Sequence, residues 1–241
     1  MNGLSIDCAI SRLSIGAKKD EKTVSAIYDI GMKQSETLLP AIDYILQKSE
    51  LKPCDLDYVS VTTGPGSFTG LRLGLSAAKA ISLAKNIPVY AINSLDLYAF
   101  PFINFAKEND FIIISEIDAK KERFYAEAFS QKGIFFESGD YTISEIIEKL
   151  KSSQIPQKIL VTGPESKLFS EELKTALKES EDSLKKICVS FLPFENNTIE
   201  SMFKMTENQI QNKIPPLSDY DGPIYLRKSE AEVKLEEKNG K

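Results

Sequence analysis

The stretch Thr62 to Ala84, TTGPGSFTGLRLGLSAAKAISLA, restricts the possible folds more than any other part of the chain. A β-rich apolar run, Leu56 to Thr62, leads into the cluster Gly64-Pro65-Gly66-Ser67-Phe68-Thr69-Gly70. A helix of leucine and small residues, opening at Gly66 or Ser67, follows to about Lys85. Strand, glycine loop and helix in this order can bind an anion, because free N–H groups and the helix dipole point the same way. The same order can simply tuck a helix tightly against a sheet.

Two nucleotide fingerprints fit the loop poorly. Gly64, Gly66 and Gly70 read G-x-G-x-x-x-G, but a dinucleotide site wants a carboxylate about twenty residues on. The next strand ends Ala91-Ile92-Asn93-Ser94, which supplies none. A P-loop needs Lys-Ser/Thr after its last glycine, and here Leu71-Arg72 follows.

The elements around this stretch repeat. Leu4–Ala9, Ile10–Gly16 and Thr23–Asp29 read as strands, followed by a helix with Ser35 as cap and Leu38, Leu39, Ile42, Ile45 and Leu46 as its stripe. Pro40 is expected to bend that helix or shift its start. With Leu56–Thr62, the second helix and Ile87–Ile92, the order is βββαβαβ. Pro101 breaks the pattern near residue 100. Strands at Phe111–Asp118, Arg123–Ser130 and Gly133–Tyr141 then precede a capping box, Thr142-x-x-Glu145. A strand at Lys158–Gly163, a helix at Ser166–Lys178 and a strand at Ile187–Leu192 complete a second βββαβαβ. A helix from Asn197 to Ile214 ends at Pro215-Pro216. No sequence repeat is visible. The doubled order predicts an α/β protein with two ribonuclease-H-like lobes of the actin-like ATPase type facing a cleft. The lobes are residues 1–100 and 101–216, with a segment 217–241 that is helical or frayed and packs back on the first lobe.

Composition narrows the chemistry. The 241 residues contain no histidine, which removes His-based zinc sites, Ser-His-Asp and Cys-His systems and His proton shuttles. A peptidase would therefore lack a nucleophile–base pair. No metal site is expected. A net charge of −5 argues against a broadly basic nucleic-acid surface. Three scattered cysteines without C-x-x-C suit free buried thiols in a reducing cytosol. With no membrane-length apolar run and no signal-peptide pattern, a cytoplasmic protein is expected.

Asp7 and Asp118 each end the first strand of a lobe, where carboxylates of an actin-like fold hold metal–phosphate. With Gly64, Gly66 and Ser67 they are the nucleotide-site candidates, and an ATP- and magnesium-dependent phosphotransferase is the alternative they support. However, Asp7 is followed by Cys8-Ala9-Ile10, which offers few phosphate donors. On the second helix Gly70, Gly74 and Ala78 recur every four residues, and such a ridge admits a close backbone. That backbone can belong to the chain's own sheet or to a partner.

GPGSFTGLRLGLSAAKAISLA followed by IPVYAINSLDLYA closely resembles the signature of the TsaB (formerly YeaZ) family. Ile6-Asp7, Ser35-x-x-Leu38-Leu39-Pro40, Ile117-Asp118-Ala119-Lys120 and Pro223-x-Tyr225-Leu226-Arg227 fit it too. The chain departs from the family at Gln34, where His is common, and at Cys8-Ala9, where Thr-Ser is. The resemblance implies the two-lobed actin-like fold. It implies a non-catalytic partner of a TsaD-like paralogue in threonylcarbamoylation of the tRNA adenosine next to the anticodon. It also implies an associated TsaE-like ATPase, a homodimer when alone, and tRNA contact that is indirect. Carried over, the partner-binding positions are Leu38, Leu39, Ile42 and Ile45 on the first helix, and Leu71, Gly74, Leu75 and Ala78 on the second.

Overall fold

The computed structural model describes residues 1–31, 33–151, 157–193 and 198–227. The first sheet contains β1 (Gly3–Asp7), β2 (Arg12–Lys19), β3 (Lys22–Asp29), β4 (Tyr58–Gly64) and β5 (Val89–Asn93), in the order β3-β2-β1-β4-β5. β1, β2 and β3 pair antiparallel, whereas β1, β4 and β5 are parallel. The parallel steps are bridged by α1 (Gln34–Lys48) and α2 (Phe68–Lys85). Two short helices follow, α3 (Ser94–Ala99) and α4 (Ile103–Asn109).

The second sheet repeats the plan. It consists of β6 (Ile112–Asp118), β7 (Phe124–Ser130), β8 (Gly133–Tyr141), β9 (Lys158–Thr162) and β10 (Cys188–Phe191), ordered β10-β9-β6-β7-β8. Here α5 (Ile143–Lys151) and α6 (Ser166–Lys178) make the crossovers, and α7 (Thr198–Gln211) comes last. Two sheets with the same order and the same mixture of pairings are the two ribonuclease-H-like lobes of the actin-like type.

Central strands are covered on both faces, so β1 is buried throughout and does not alternate. In the first lobe Ile6, Leu13 and Ile15 pack with Leu38, Ile42 and Ile45 of α1 and Leu75 and Ala78 of α2. In the second, Ile114, Phe124 and Val161 pack with Ile146, Leu150, Phe169 and Leu173. A third core joins the lobes: Tyr58, Ile92, Leu95, Tyr98, Ile117, Ile199, Met202 and Phe203. Sequence order puts α7 with the second lobe, yet it packs on β1, β2 and β5, while α3 packs on β6. Each repeat therefore sends its following helix to the other repeat's sheet. Gly16 makes room for this, since a Cβ there would lie 2.4 Å from Ile199 Cγ2.

Several sequence expectations are corrected. α1 begins at Gln34, without side-chain capping from Ser35, and runs through Pro40, which lies on the exposed face. α3 and α4 were not expected, although Asn93 Oδ1 accepts from the Leu95 and Asp96 amides as an N-cap should. Cys54 and Cys188 are exposed and only Cys8 is buried. Residues 217–227 are not helical. The expected start of the last helix at Asn197 and the tail from residue 228 lie outside the described residues. Among those described, no helix is long and apolar enough to cross a membrane.

Candidate functional site

A cleft of about 390 Å³ separates the lobes. Its first-lobe wall is the β1–β2 turn (Ala9 to Ser11), the start of α1 (Gln34, Ser35), the loop before α2 (Gly66, Ser67) and Thr69 in the first turn of α2. Its second-lobe wall is the β6–β7 turn (Ile117 to Lys120) with Tyr125, Pro164 and Glu165. Gly66, Ser67 and Asp118 of the nucleotide-site candidates face it, whereas Asp7 and Gly64 do not.

The glycine loop is pressed onto the β1–β2 turn. The Ser67 amide donates to the Ala9 carbonyl at 2.6 Å. A Cβ on Gly66 would meet that same oxygen at 2.3 Å, and one on Gly70 would meet the Cys8 carbonyl at 2.1 Å. The Gln34 carboxamide donates to the Ile10 carbonyl from the other side. Ser67 caps α2, its hydroxyl accepting from the Gly70 amide. The loop's glycines therefore serve close packing, and its Ser67 and Gly70 donors are used inside the protein.

Asp7 is only 2% exposed. Its Oδ1 accepts from the Ala9 amide and the Thr62 hydroxyl, and its Oδ2 from the Thr198 hydroxyl of α7. Burial raises its pKa, against the lowering effect of these three bonds. Asp118 differs because its strand is longer. β1 runs one residue past Ile6, whose partner Val61 lies three before Gly64; β6 runs five past Ile113, whose partner Leu160 lies three before Gly163. Asp118 thus stands four residues further out, roughly 13 Å along an extended strand. It lines the cleft and binds the Lys120 amide at 2.6 Å and the Lys120 ammonium at 2.5 Å. The expected pair of cleft carboxylates is therefore not assembled, which removes Asp7 from the phosphotransferase alternative. Among the described residues, no group of three or more Cys, Asp or Glu is placed to hold a metal ion.

A buried carboxyl that sequence reasoning missed lies beside Asp118. Glu116 is fully buried; its Oε1 accepts from the Glu165 amide at 2.7 Å, and its Oε2 has no hydrogen-bond partner. Burial pushes its pKa up to about 8. It sits against Gly163, where a Cβ would be 2.1 Å from the Glu116 carbonyl and 2.7 Å from Oε1. Here a small repeat emerges, contrary to the expectation of none. Thr63-Gly64-Pro65 closes β4 and Thr162-Gly163-Pro164 closes β9, with glycine φ angles of 120° and 133°. In the first copy the Ile224 carbonyl lies 2.5 Å from where a Gly64 Cβ would be. Next to Asp118, three successive non-glycine residues, Lys120, Lys121 and Glu122, have φ of 62°, 56° and 58°. Left-handed backbone costs about 1 kcal/mol or more for each such residue.

The helix faces carried over as partner contacts point largely inward. Leu38, Ile42, Ile45, Leu71, Gly74, Leu75 and Ala78 are all buried within the chain, and of the eight only Leu39 is exposed. Gly74 is small because Cys8 and Val61 lie against it. The ridge therefore meets the chain's own sheet. The outward faces instead present Leu39, Pro40 and Tyr44 on α1, and Arg72, Ser76, Ala80 and Leu83 on α2. Leu39, Tyr44 and Leu83 are 63%, 50% and 88% exposed, and α1 and α2 are in contact.

Comparison with known proteins gives consistent matches. The model of the family TsaD, tRNA N6-adenosine threonylcarbamoyltransferase, matches residues 31–233. The tRNA threonylcarbamoyladenosine biosynthesis protein TsaB of Bacillus subtilis (strain 168) is 26% identical over 242 residues, covering 97% of each chain. The protein of that name from Buchnera aphidicola subsp. Acyrthosiphon pisum (strain APS) is 29% identical over 152 residues, 63% of this chain and 68% of its own. Among solved structures, an uncharacterized Pseudomonas aeruginosa protein with similarity to peptidase YEAZ superimposes with a TM-score of 0.72. Its identity is 15%, and the match covers 94% of this chain and 99% of that one. YeaZ from the same organism gives 0.60 at 14% identity, over 90% and 99%.

Proposed function

The chain belongs to the TsaB (YeaZ) family, within the wider TsaD family whose model it matches, and from that premise we propose that it acts in tRNA threonylcarbamoyladenosine biosynthesis as a non-catalytic partner of a TsaD-like paralogue. The observation that carries this reading is the inward commitment of the groups a nucleotide would need. Asp7 is bonded on both oxygens, and the Ser67 amide goes to Ala9. The absence of histidine agrees, since a His-based metal motif must then come from the paralogue.

The outward face of α1 and α2 supports a protein contact, with three large apolar side chains exposed on two adjoining helices. On this reading a TsaD-like protein docks there, or a second copy when the chain is alone. A TsaE-like ATPase joins the assembly, and the net charge of −5 favours tRNA contact through the partner. Pull-down from native cell extract tests the reading. A TsaD-like protein should be captured by the natural chain and lost with Ala80→Arg or Leu39→Arg, whose side chains point to solvent. Capture that survives both changes moves the interface elsewhere; absence of any TsaD-like protein defeats the reading. Titration calorimetry with ATP and magnesium should show no binding that depends on Asp7.

A further inference from the structure

We propose that residues 217–227 form a latch that sets the interlobe cleft by holding the β6–β7 turn from the first lobe. Leu217 begins it, its amide donating to the Val89 carbonyl of β5. The Lys79 ammonium of α2 then gathers the carbonyls of Ser218, Asp219 and Asp221. The Ile224 amide donates to the Thr63 carbonyl at the end of β4. Tyr225 stacks on Phe68 of α2 with ring centroids 4.6 Å apart, and its hydroxyl accepts from Arg72 Nε at 2.9 Å. Two residues later the segment has reached the second lobe. Arg227 holds both carboxylate oxygens of Asp140 on β8, at 2.8 and 3.0 Å, while Nη1 donates to the Ala119 carbonyl at 3.0 Å.

That last bond gives the segment its role. Ala119 lines the cleft and opens the turn whose next three residues are left-handed. Three left-handed non-glycine residues persist only when their surroundings over-determine them. The restraints are few. Among the described residues, the Asp118 carboxylate holds the Lys120 amide, the Ala119 amide bonds the Arg123 carbonyl, the Arg123 amide bonds the Lys120 carbonyl, and Arg227 holds the Ala119 carbonyl. Arg123 shares Asp140 with Arg227, so one carboxylate ties both sides of the turn to the latch. Apart from Leu217, which packs on the first core, the segment has little apolar burial: Tyr220 is 99% exposed, and Ile224 and Tyr225 are 48% and 38% exposed. Beyond Leu217 its hold is one ring stack and a set of polar bonds, which can be released without opening a core. The geometry therefore makes the cleft wall depend on a first-lobe anchor, Tyr225 on α2, through a bidentate arginine.

Amide exchange on the full chain, read by mass spectrometry, tests the latch without any partner, so its failure leaves the partner reading untouched. Arg227→Ala should speed exchange across residues 118–124 by about tenfold, with residues 58–64 of β4 unchanged. Tyr225→Ala, which alters contacts in the first lobe alone, should raise exchange in 118–124 in the same direction by about threefold. No change at 118–124 in either variant overturns the latch. So does a rise shared equally with 58–64, which would make the segment an ordinary stabiliser. If Arg227→Ala does not fold, Tyr225→Ala decides alone.

Discussion

The two Thr-Gly-Pro turns occupy matching places in the two lobes and are closed by different materials. Over Gly163 lies the second lobe's own β6, with the Glu116 carbonyl and carboxyl against the glycine. Over Gly64 lies the carbonyl of Ile224, part of an exposed segment that arrives from 160 residues later in the chain. One turn is sealed by the sheet it belongs to and the other by a removable strip. The carboxylates beside them differ in parallel. Asp7 satisfies both oxygens, whereas Glu116 satisfies one. A shared topology thus fixes where a turn sits without fixing what covers it or how its charges are neutralised.

The largest effect should come from the core that both lobes share, which tests whether they are separable at all. Phe203→Ala, in the third core, should cost about 3–5 kcal/mol. Denaturant unfolding followed by signals from both lobes should stay a single transition, and two separated transitions would break the comparison by making the lobes independent. Next, Gly163→Ala should cost about 3 kcal/mol or more, combining positive φ with a clash against sheet backbone. Gly64→Ala should cost less, about 1–2 kcal/mol, because the Ile224 segment can lift. Equal losses in midpoint would mean the two covers are equally rigid.

Burial raises the pKa of both carboxyls, so substitution must tell them apart by their partners. Asp7→Ala removes the acceptor of three buried donors and should destabilise by about 1–3 kcal/mol. Glu116 stays protonated in the folded chain up to about pH 8, while its unfolded-state value is near 4.5. Between these values the unfolded state sheds the proton first, so stability falls as pH rises from about 4.5 to about 8. Glu116→Gln should remove much of that slope, leaving the protein more stable than the parent at pH 8 and nearly equal at pH 5. Chemical denaturation at the two pH values measures it. The smallest effect should be Lys120→Ala, which gives up an ion pair between an exposed ammonium and Asp118 worth well under 1 kcal/mol and leaves the bond from the residue-120 amide to Asp118 in place.

Local chemistry was legible in the sequence wherever neighbours along the chain decide it. The Thr142–Glu145 box caps α5 as its spacing demands, with amides and side chains reciprocally bonded. Both βββαβαβ runs follow from periodicity and turn residues. What could not be read depended on partners distant in the chain. The ridge of Gly70, Gly74 and Ala78 announced a close neighbour but could not say whether it was β1 or another protein. Asp7 and Asp118 look equivalent because each closes a first strand; the four-residue offset exists only in the pairing with β4 and β9. Glu116 was hidden in an apolar strand, and the Thr-Gly-Pro repeat was too short to stand out before its two copies were seen at matching strand ends.

The exchange of α3 and α7 between the sheets has a consequence during synthesis. When β1 to β5 have left the ribosome, the face that α7 will cover is still bare, and the chain must grow by about a hundred residues before its cover exists. The bond from Thr198 to Asp7 spans 191 positions, so it closes almost last. Loops of that length form slowly and leave apolar surface exposed meanwhile. The nascent first lobe is therefore a natural client for chaperones, and a chain truncated before Thr198 would carry that bare face permanently.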